Sequence, residues 1–240
     1  MDLSVNPERV TDRSKVVPKR GASMCADATQ SRSRRRFLSG LAAGAAAGMA
    51  GCGSLVGGDD LAATATAELS APTRGAEDAP VTVEVYEDFA CPACGRFAEV
   101  LAPQIASEYV EPGVARYQFH DMPLDTHAPA SYEAANAARA VQDSVDDAAF
   151  FEYADLLFAN QSDLGPALYE ELASEVGADG ESVREAATGR TYRNVVNADK
   201  RAGIDRGVDA TPTVFVDDSA VDELSWAAIR QAIEAARPDG

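Results

Sequence analysis

The chain has 240 residues, 46% of them hydrophobic, which is material for one sizeable domain with a core. Its 21 basic against 39 acidic side chains give a net charge of −18, which argues against nucleic acid or anionic lipid as a partner of the folded part. The imbalance is uneven: residues 1–52 hold 9 basic and 4 acidic side chains, net +5, and residues 53–240 hold 12 and 35, net −23, with Lys200 their only lysine.

The basic front end reads as an export signal. Ser33-Arg34-Arg35-Arg36-Phe37-Leu38 matches the twin-arginine pattern S-R-R-x-F-L, with Arg34 and Arg35 as its arginine pair. The Ala/Gly-rich run behind it, Leu38 to Gly51, is too short and glycine-rich for a membrane span. It ends in Met49-Ala50-Gly51-Cys52, which resembles a lipobox, where the cysteine takes up lipid and becomes the mature N-terminus. Met24 precedes the arginines and is a second candidate start. Residues 1–52 are therefore assigned to a signal, and the protein is expected outside the cell, lipid-anchored through Cys52 to the outer face of the cytoplasmic membrane. Disulfides persist in such a compartment. Residues 53–79 are small, polar and patternless, and read as a flexible tether.

A domain is expected over 80–237. "PVTVEVYEDF" alternates Val81, Val83 and Val85, a strand. Cys91 and Cys94 follow, and Phe97, Val100, Leu101 and Ile105 recur at helical spacing. Pro92 suits the first turn of that helix, and Pro103 should kink or divide it. "PGVARYQFH" predicts a second strand with Tyr117 and Phe119 on one face. Helical segments then run from about Ala128 to Arg206. "TPTVFVDD" is a third strand, Ala220-Val221 a candidate fourth, and a last helix is capped by Ser225 with Trp226, Ile229 and Ile233 turned inward. The aromatic run Phe150, Phe151, Tyr153 with Leu156 and Leu157 reads as core.

The cysteine pair has three readings. As a staple it closes a four-residue loop, worth about 2 kcal/mol against roughly 3 for fifteen residues. As half of a zinc site it needs two more ligands, yet 25 residues separate Cys94 from His120 and six separate His120 from His127, the only histidines. As a redox reagent it accounts for more. Cys91 falls where the strand meets the helix, so its sulfur faces unpaired N–H groups and the positive end of the helix dipole. That setting favours thiolate and lowers the pKa below about 8.5. Cys94, one turn on, should be more buried and stay a thiol. No cofactor and no metal are expected.

The order and spacing of "VEVYEDFACPAC", "MPLDTHAPASYEAANAA", "FFEYADLLFANQ" and "GVDATPTVFVD" resemble the DsbA-like branch of the thioredoxin superfamily over about residues 80–236. The resemblance implies an α/β thioredoxin-like fold with a helical insertion near 128–190. It also implies a cis bond at Thr211-Pro212, facing the cysteines and offering the Thr211 backbone to an extended substrate. Many relatives carry a buried acid six residues before the nucleophile. Here that place is Val85, so its proton-transfer role is absent or falls to Glu87 or water. Glu87 and Asp88, if near, raise the pKa of Cys91; otherwise they are solvated loop carboxylates. His127 is expected to make local hydrogen bonds, and His120 to sit at the sheet edge. With Pro92-Ala93 between the cysteines, the expected reduction potential lies between about −270 and −120 mV.

The implied activity is thiol–disulfide exchange on cysteine-containing exported proteins, most simply disulfide formation, with a membrane redox partner to re-oxidise the pair. A reductase or isomerase, as in cytochrome maturation, uses the same residues, and a non-catalytic peptide-binding lipoprotein is the alternative outside enzymes. The acidic, lysine-poor surface resembles that of proteins from extreme halophiles, where salt near 1 M shortens the Debye length to about 3 Å.

Overall fold

The structure is a computed structural model that describes residues 69–238. Arg34, Arg35, Cys52, the Met24 start and most of the tether lie outside these residues. The first strand, β1 (Thr73–Arg74), is two residues long and edges the sheet. In β2 (Val81–Glu87), Val81, Val83 and Val85 are fully buried, as branched side chains on one face of a central strand should be. β2 runs parallel to β3 (Ala115–Asp121), from Val81 opposite Ala115 to Glu87 opposite Asp121. Its other neighbour is the antiparallel β4 (Thr213–Val216), followed by β5 (Ser219–Ala220), and the order across the sheet is β1-β3-β2-β4-β5.

Helix α1 (Pro92–Val100) leaves the end of β2. As Pro103 predicts, the run divides at Leu101, continuing as α2 (Ala102–Ile105) and a π-helical turn, Ala106–Val110. Between β3 and β4 stands a helical block of α3 (Ala130–Ser144), α4 (Asp147–Ala159), α5 (Pro166–Glu175), α6 (Gly180–Gly189) and α7 (Arg193–Asp205). The chain ends in α8 (Trp226–Ala236), where Ser225 Oγ accepts from the Ala228 N–H and Ile229 and Ile233 are fully buried. Trp226 is half-buried, tilted against Tyr109. No helix among the described residues is long and apolar enough to cross a membrane.

Aromatic rings bind the sheet to the block. Phe119 stacks on Phe89 at 5.2 Å and meets Phe150 edge-on at 5.2 Å, and Tyr117 meets Phe151 at 5.9 Å. Such pairs add about 0.5–1.5 kcal/mol each beyond their buried area. They also fix α4 against β3, which matters for the residues just after α4.

The tether expected over 53–79 ends sooner than its composition implied. Arg74 pairs with Tyr117 across β1 and β3, and the Thr73 N–H donates to Asp147. The Ser70 carbonyl accepts from Arg139 and Gln142. Arg139, fully buried on α3, also reaches Asp121 at 2.6 Å, and Asp199 of α7. One buried guanidinium thus ties the N-terminal segment, the end of β3 and α7 together. The late strand also forms one residue earlier than Ala220-Val221, because Val216 pairs with Ser219 and Phe215 with Ala220.

Candidate redox-active site

Cys91 is the N-cap of α1, with extended backbone (φ −82°, ψ 121°) and Pro92 at the helix start. A turn closed by the Cys91 N–H on the Asp88 carbonyl (3.0 Å) delivers it there from β2. Both cysteines are free thiols, Cys91 8% exposed and Cys94 0%, so Cys91 is the sulfur that solvent meets.

The environments of the two sulfurs differ in sign. A hydrogen bond from the Cys94 thiol is the main influence drawing the Cys91 pKa down to about 5. Burial opposes it, and the Thr211 side chain and the N–H groups of Cys94 and Ala93 add to the lowering. Cys94 moves far the other way. Burial dominates, followed by its bond to Cys91 and the nearby Glu87 charge. The Asp88 N–H, 3.4 Å from Cys94 Sγ, only partly offsets this.

Thr211 completes the site from the segment just before β4. The Thr211–Pro212 bond is cis, and Cys91 Sγ lies 3.6 Å from the Thr211 carbonyl oxygen, within reach as a thiol donor. A thiolate loses that bond, but the Thr211 hydroxyl, buried and otherwise unpartnered among the described residues, remains to serve it.

Glu87 and Asp88 are not solvated loop carboxylates; they are 2% and 1% exposed. Asp88 is a scaffold. One of its oxygens accepts from the Ala90 N–H (2.9 Å), the other from the Leu124 N–H (3.2 Å) and Ser131 Oγ (2.9 Å), and His127 Nδ1 lies 2.9 Å from it. The cysteine turn is thereby tied to the loop before α3, and His127 is a local hydrogen-bonding residue as expected. Glu87 is different. Among the described residues its Oε1 is buried with no hydrogen-bond partner, and burial pushes its pKa well above the usual carboxylate range. Period-2 geometry places it on the same face of β2 as Val85, one step nearer the cysteines. Its charge raises the pKa of Cys94 and of Tyr117. Arg74 lies in its field and rests on the rings of Tyr117 (4.6 Å) and Phe151 (4.7 Å).

His120 stands apart from the sulfurs, stacked on Tyr86 at 4.7 Å with Nε2 3.3 Å from Glu84 and Nδ1 3.8 Å from Asp199. Burial alone would lower its pKa, but Asp199 and Glu84 together more than offset this. Among the described residues no group of three His, Cys, Asp or Glu side chains is placed to hold a metal. Phe150, Phe151, Tyr153 and Leu157 are core.

One contact at the site was not foreseen. Gln161, in the 3-10 turn after α4, donates from Nε2 to the carbonyls of Phe89 (2.7 Å) and Cys91 (2.9 Å). It borders a cavity of about 740 Å³ between α1 and α4, along with Pro92, Gly95 and Asp155. The residue stands in "FFEYADLLFANQ", but no spacing rule links an amide there to a cysteine 70 positions earlier.

Such an arrangement presents an acidic, reachable sulfur beside a basic, hidden one, which is the asymmetry that thiol–disulfide exchange uses. Comparison with known proteins agrees. Disulfide bond formation protein D of Bacillus subtilis is 28% identical over 68% of this chain and 75% of its own length. The crystal structure of oxidised BdbD from Bacillus subtilis superposes with a TM-score of 0.65 at 27% identity, covering 69% of this chain and 92% of that one. The Na(+)/H(+) antiporter NhaA 3 of Salinispora tropica is 36% identical over 60% of this chain, which spans only 21% of the antiporter's length. The profile of the family described as thioredoxin matches residues 68–235, and the chain belongs to that family.

Proposed function

We propose that the protein is a thiol–disulfide oxidoreductase that forms disulfides in exported, cysteine-containing proteins. The observation that carries this reading is the opposed acidity of Cys91 and Cys94 at the start of α1, with Thr211 facing Cys91. In the oxidised pair a substrate thiolate attacks Cys91 Sγ, the Cys91–Cys94 bond breaks, and Cys94 leaves with the electron pair and takes a proton. Glu87, an acid held protonated at higher pH than usual, is the group on that side to donate it. A second substrate thiolate then attacks the substrate sulfur and expels Cys91. A low-pKa thiolate is a good leaving group, which favours this direction. Two electrons pass from substrate to enzyme, the substrate gains one disulfide, and Cys91 remains a thiolate.

Thr211 and Pro212 provide the edge against which an extended substrate lies. The reduced pair returns to disulfide through a membrane redox partner. Arg34, Arg35 and Cys52 support export by the twin-arginine route and a lipid anchor on the outer face of the cytoplasmic membrane. The likeness to Disulfide bond formation protein D supports oxidation over reduction, with a potential between about −270 and −120 mV.

The test is trapping. A Cys94→Ala variant expressed in its host should accumulate mixed disulfides between Cys91 and exported proteins, and the purified wild type should oxidise a reduced, unfolded test protein. A variant that traps nothing, with a wild type inert in that assay, leaves a peptide-binding module. A wild type that only reduces or reshuffles disulfides points to the reductase or isomerase reading.

A further inference from the structure

Gly95 is a puzzle of local chemistry. It lies inside α1, directly after Cys94, where alanine is the better helix former. Its backbone has no positive φ to justify a glycine. What the missing Cβ leaves is room: a methyl group there would overlap the end of the Gln161 side chain, lying 2.8 Å from Cδ and closer still to Oε1. The same amide gives its two N–H bonds to Phe89 and Cys91. The Cys91 carbonyl thus has two donors, Gln161 at 2.9 Å and the Gly95 N–H at 3.1 Å. A carbonyl oxygen has lone pairs for both.

We propose that Gln161 is a positioning residue for the redox pair: its amide, seated against Gly95, locks the turn of Cys91 to the helical block and keeps that sulfur aimed at the N–H groups of α1. The proposal rests on the oxidoreductase reading and deepens it. The lock has a firm base, because α4 is fixed by Phe150, Phe151 and Leu157 in the core, and Gln161 follows its end directly. The opposite side of the turn is held by the four bonds of Asp88. Freed from Gln161, the Cys91 turn can rotate about the remaining attachment. Its sulfur then loses alignment with the Ala93 and Cys94 N–H groups, which favour the thiolate.

The experiment uses the purified reduced protein and reads the pH midpoint of Cys91 ionisation and the equilibrium constant against glutathione. Gln161→Ala removes the donors without adding charge. Gln161→Glu keeps the shape but, once ionised, cannot donate. Both should raise the Cys91 midpoint from about 5 by about one unit, and lower the equilibrium constant about tenfold, roughly 30 mV. Gly95→Ala should reproduce the shift in the wild type and add almost nothing in Gln161→Ala. A lock is overturned if the midpoint of Gln161→Glu matches the wild type, or if the Gly95 and Gln161 effects simply add. Melting of each variant is followed alongside, since loss of stability alone does not move the midpoint of the molecules that remain folded. An acidic wild-type Cys91 with unmoved variants defeats the lock alone; a wild-type Cys91 that titrates as an ordinary thiol defeats the oxidoreductase reading and the lock with it.

Discussion

The facing ends of β2 and β3 handle buried charge in two ways. Around Arg139 and Arg206, carboxylates are answered by cations: Asp121 and Asp199 by Arg139, and Glu84 by Arg206 at 2.9 Å. Beside the cysteines, Glu87 has no such ion-pair partner among the described residues. Glu87 is buried with an orphaned oxygen, and Cys94 is buried in a place that resists its ionisation. Paired charge in the interior ties elements together, even where burial still lifts a pKa, as it does at Asp121; unpaired charge beside a thiol marks a place where chemistry is done. The molecule keeps the first kind at the junction with α7 and the second at the start of α1.

The largest effect should come from the cysteine side. Cys91→Ser is expected to reduce disulfide exchange to background with the fold intact, measured by oxidation of a reduced test protein and by circular dichroism. On the paired side the effect is inverted. Arg139→Met strands the buried Asp121 and the half-buried Asp199 and should cost about 3–5 kcal/mol in denaturant unfolding. The Cys91 midpoint of the folded fraction should not move, and a shift would break the separation between the two regions.

Glu87→Gln tests the unpaired side directly. Glu87 is an acid with a raised folded pKa, so its contribution favours the native state while it keeps its proton. That contribution is lost as pH rises from about 4.3 toward the raised value. The variant should therefore be more stable than wild type at neutral pH, with a flatter pH profile of unfolding. If Glu87 handles the Cys94 proton, exchange should slow about a hundredfold in stopped-flow measurements. The smallest effect is expected far from both regions. Ser225→Ala removes the cap of α8 and should cost about 1 kcal/mol in stability with no change in redox behaviour.

Much of this was legible in the chain. Alternating Val81, Val83 and Val85, then Cys91 and Cys94 at a helix start, placed the cysteine pair, because strand and helix periods differ and their junction is visible. Pro103 marked the division of the first helix, and Ser225 the cap of the last. Other features were hidden for physical reasons. β1 is two residues, Thr73–Arg74, too short for any period, so its segment passed for tether. The charges of Glu87 and Asp88 suggested exposure, but the backbone that carries them is dragged inward by Val85 and Phe89 on either side. Gln161 meets Cys91 only after the block has folded back over α1, a contact no local pattern encodes.

Everything in the redox reading depends on the acidity of Cys91 in the reduced protein. A group whose folded pKa is depressed stabilises the reduced form fully above its unfolded value, about 8.5, and that stabilisation is lost as pH falls toward the folded one. Thiolate ultraviolet absorbance, followed through a pH titration with Cys94→Ala and Cys91→Ala as controls, measures it. The wild type should show a single ionisation with a midpoint near 5, absent in Cys91→Ala, and no second thiolate at neutral pH. A wild-type midpoint near 8.5 would contradict it.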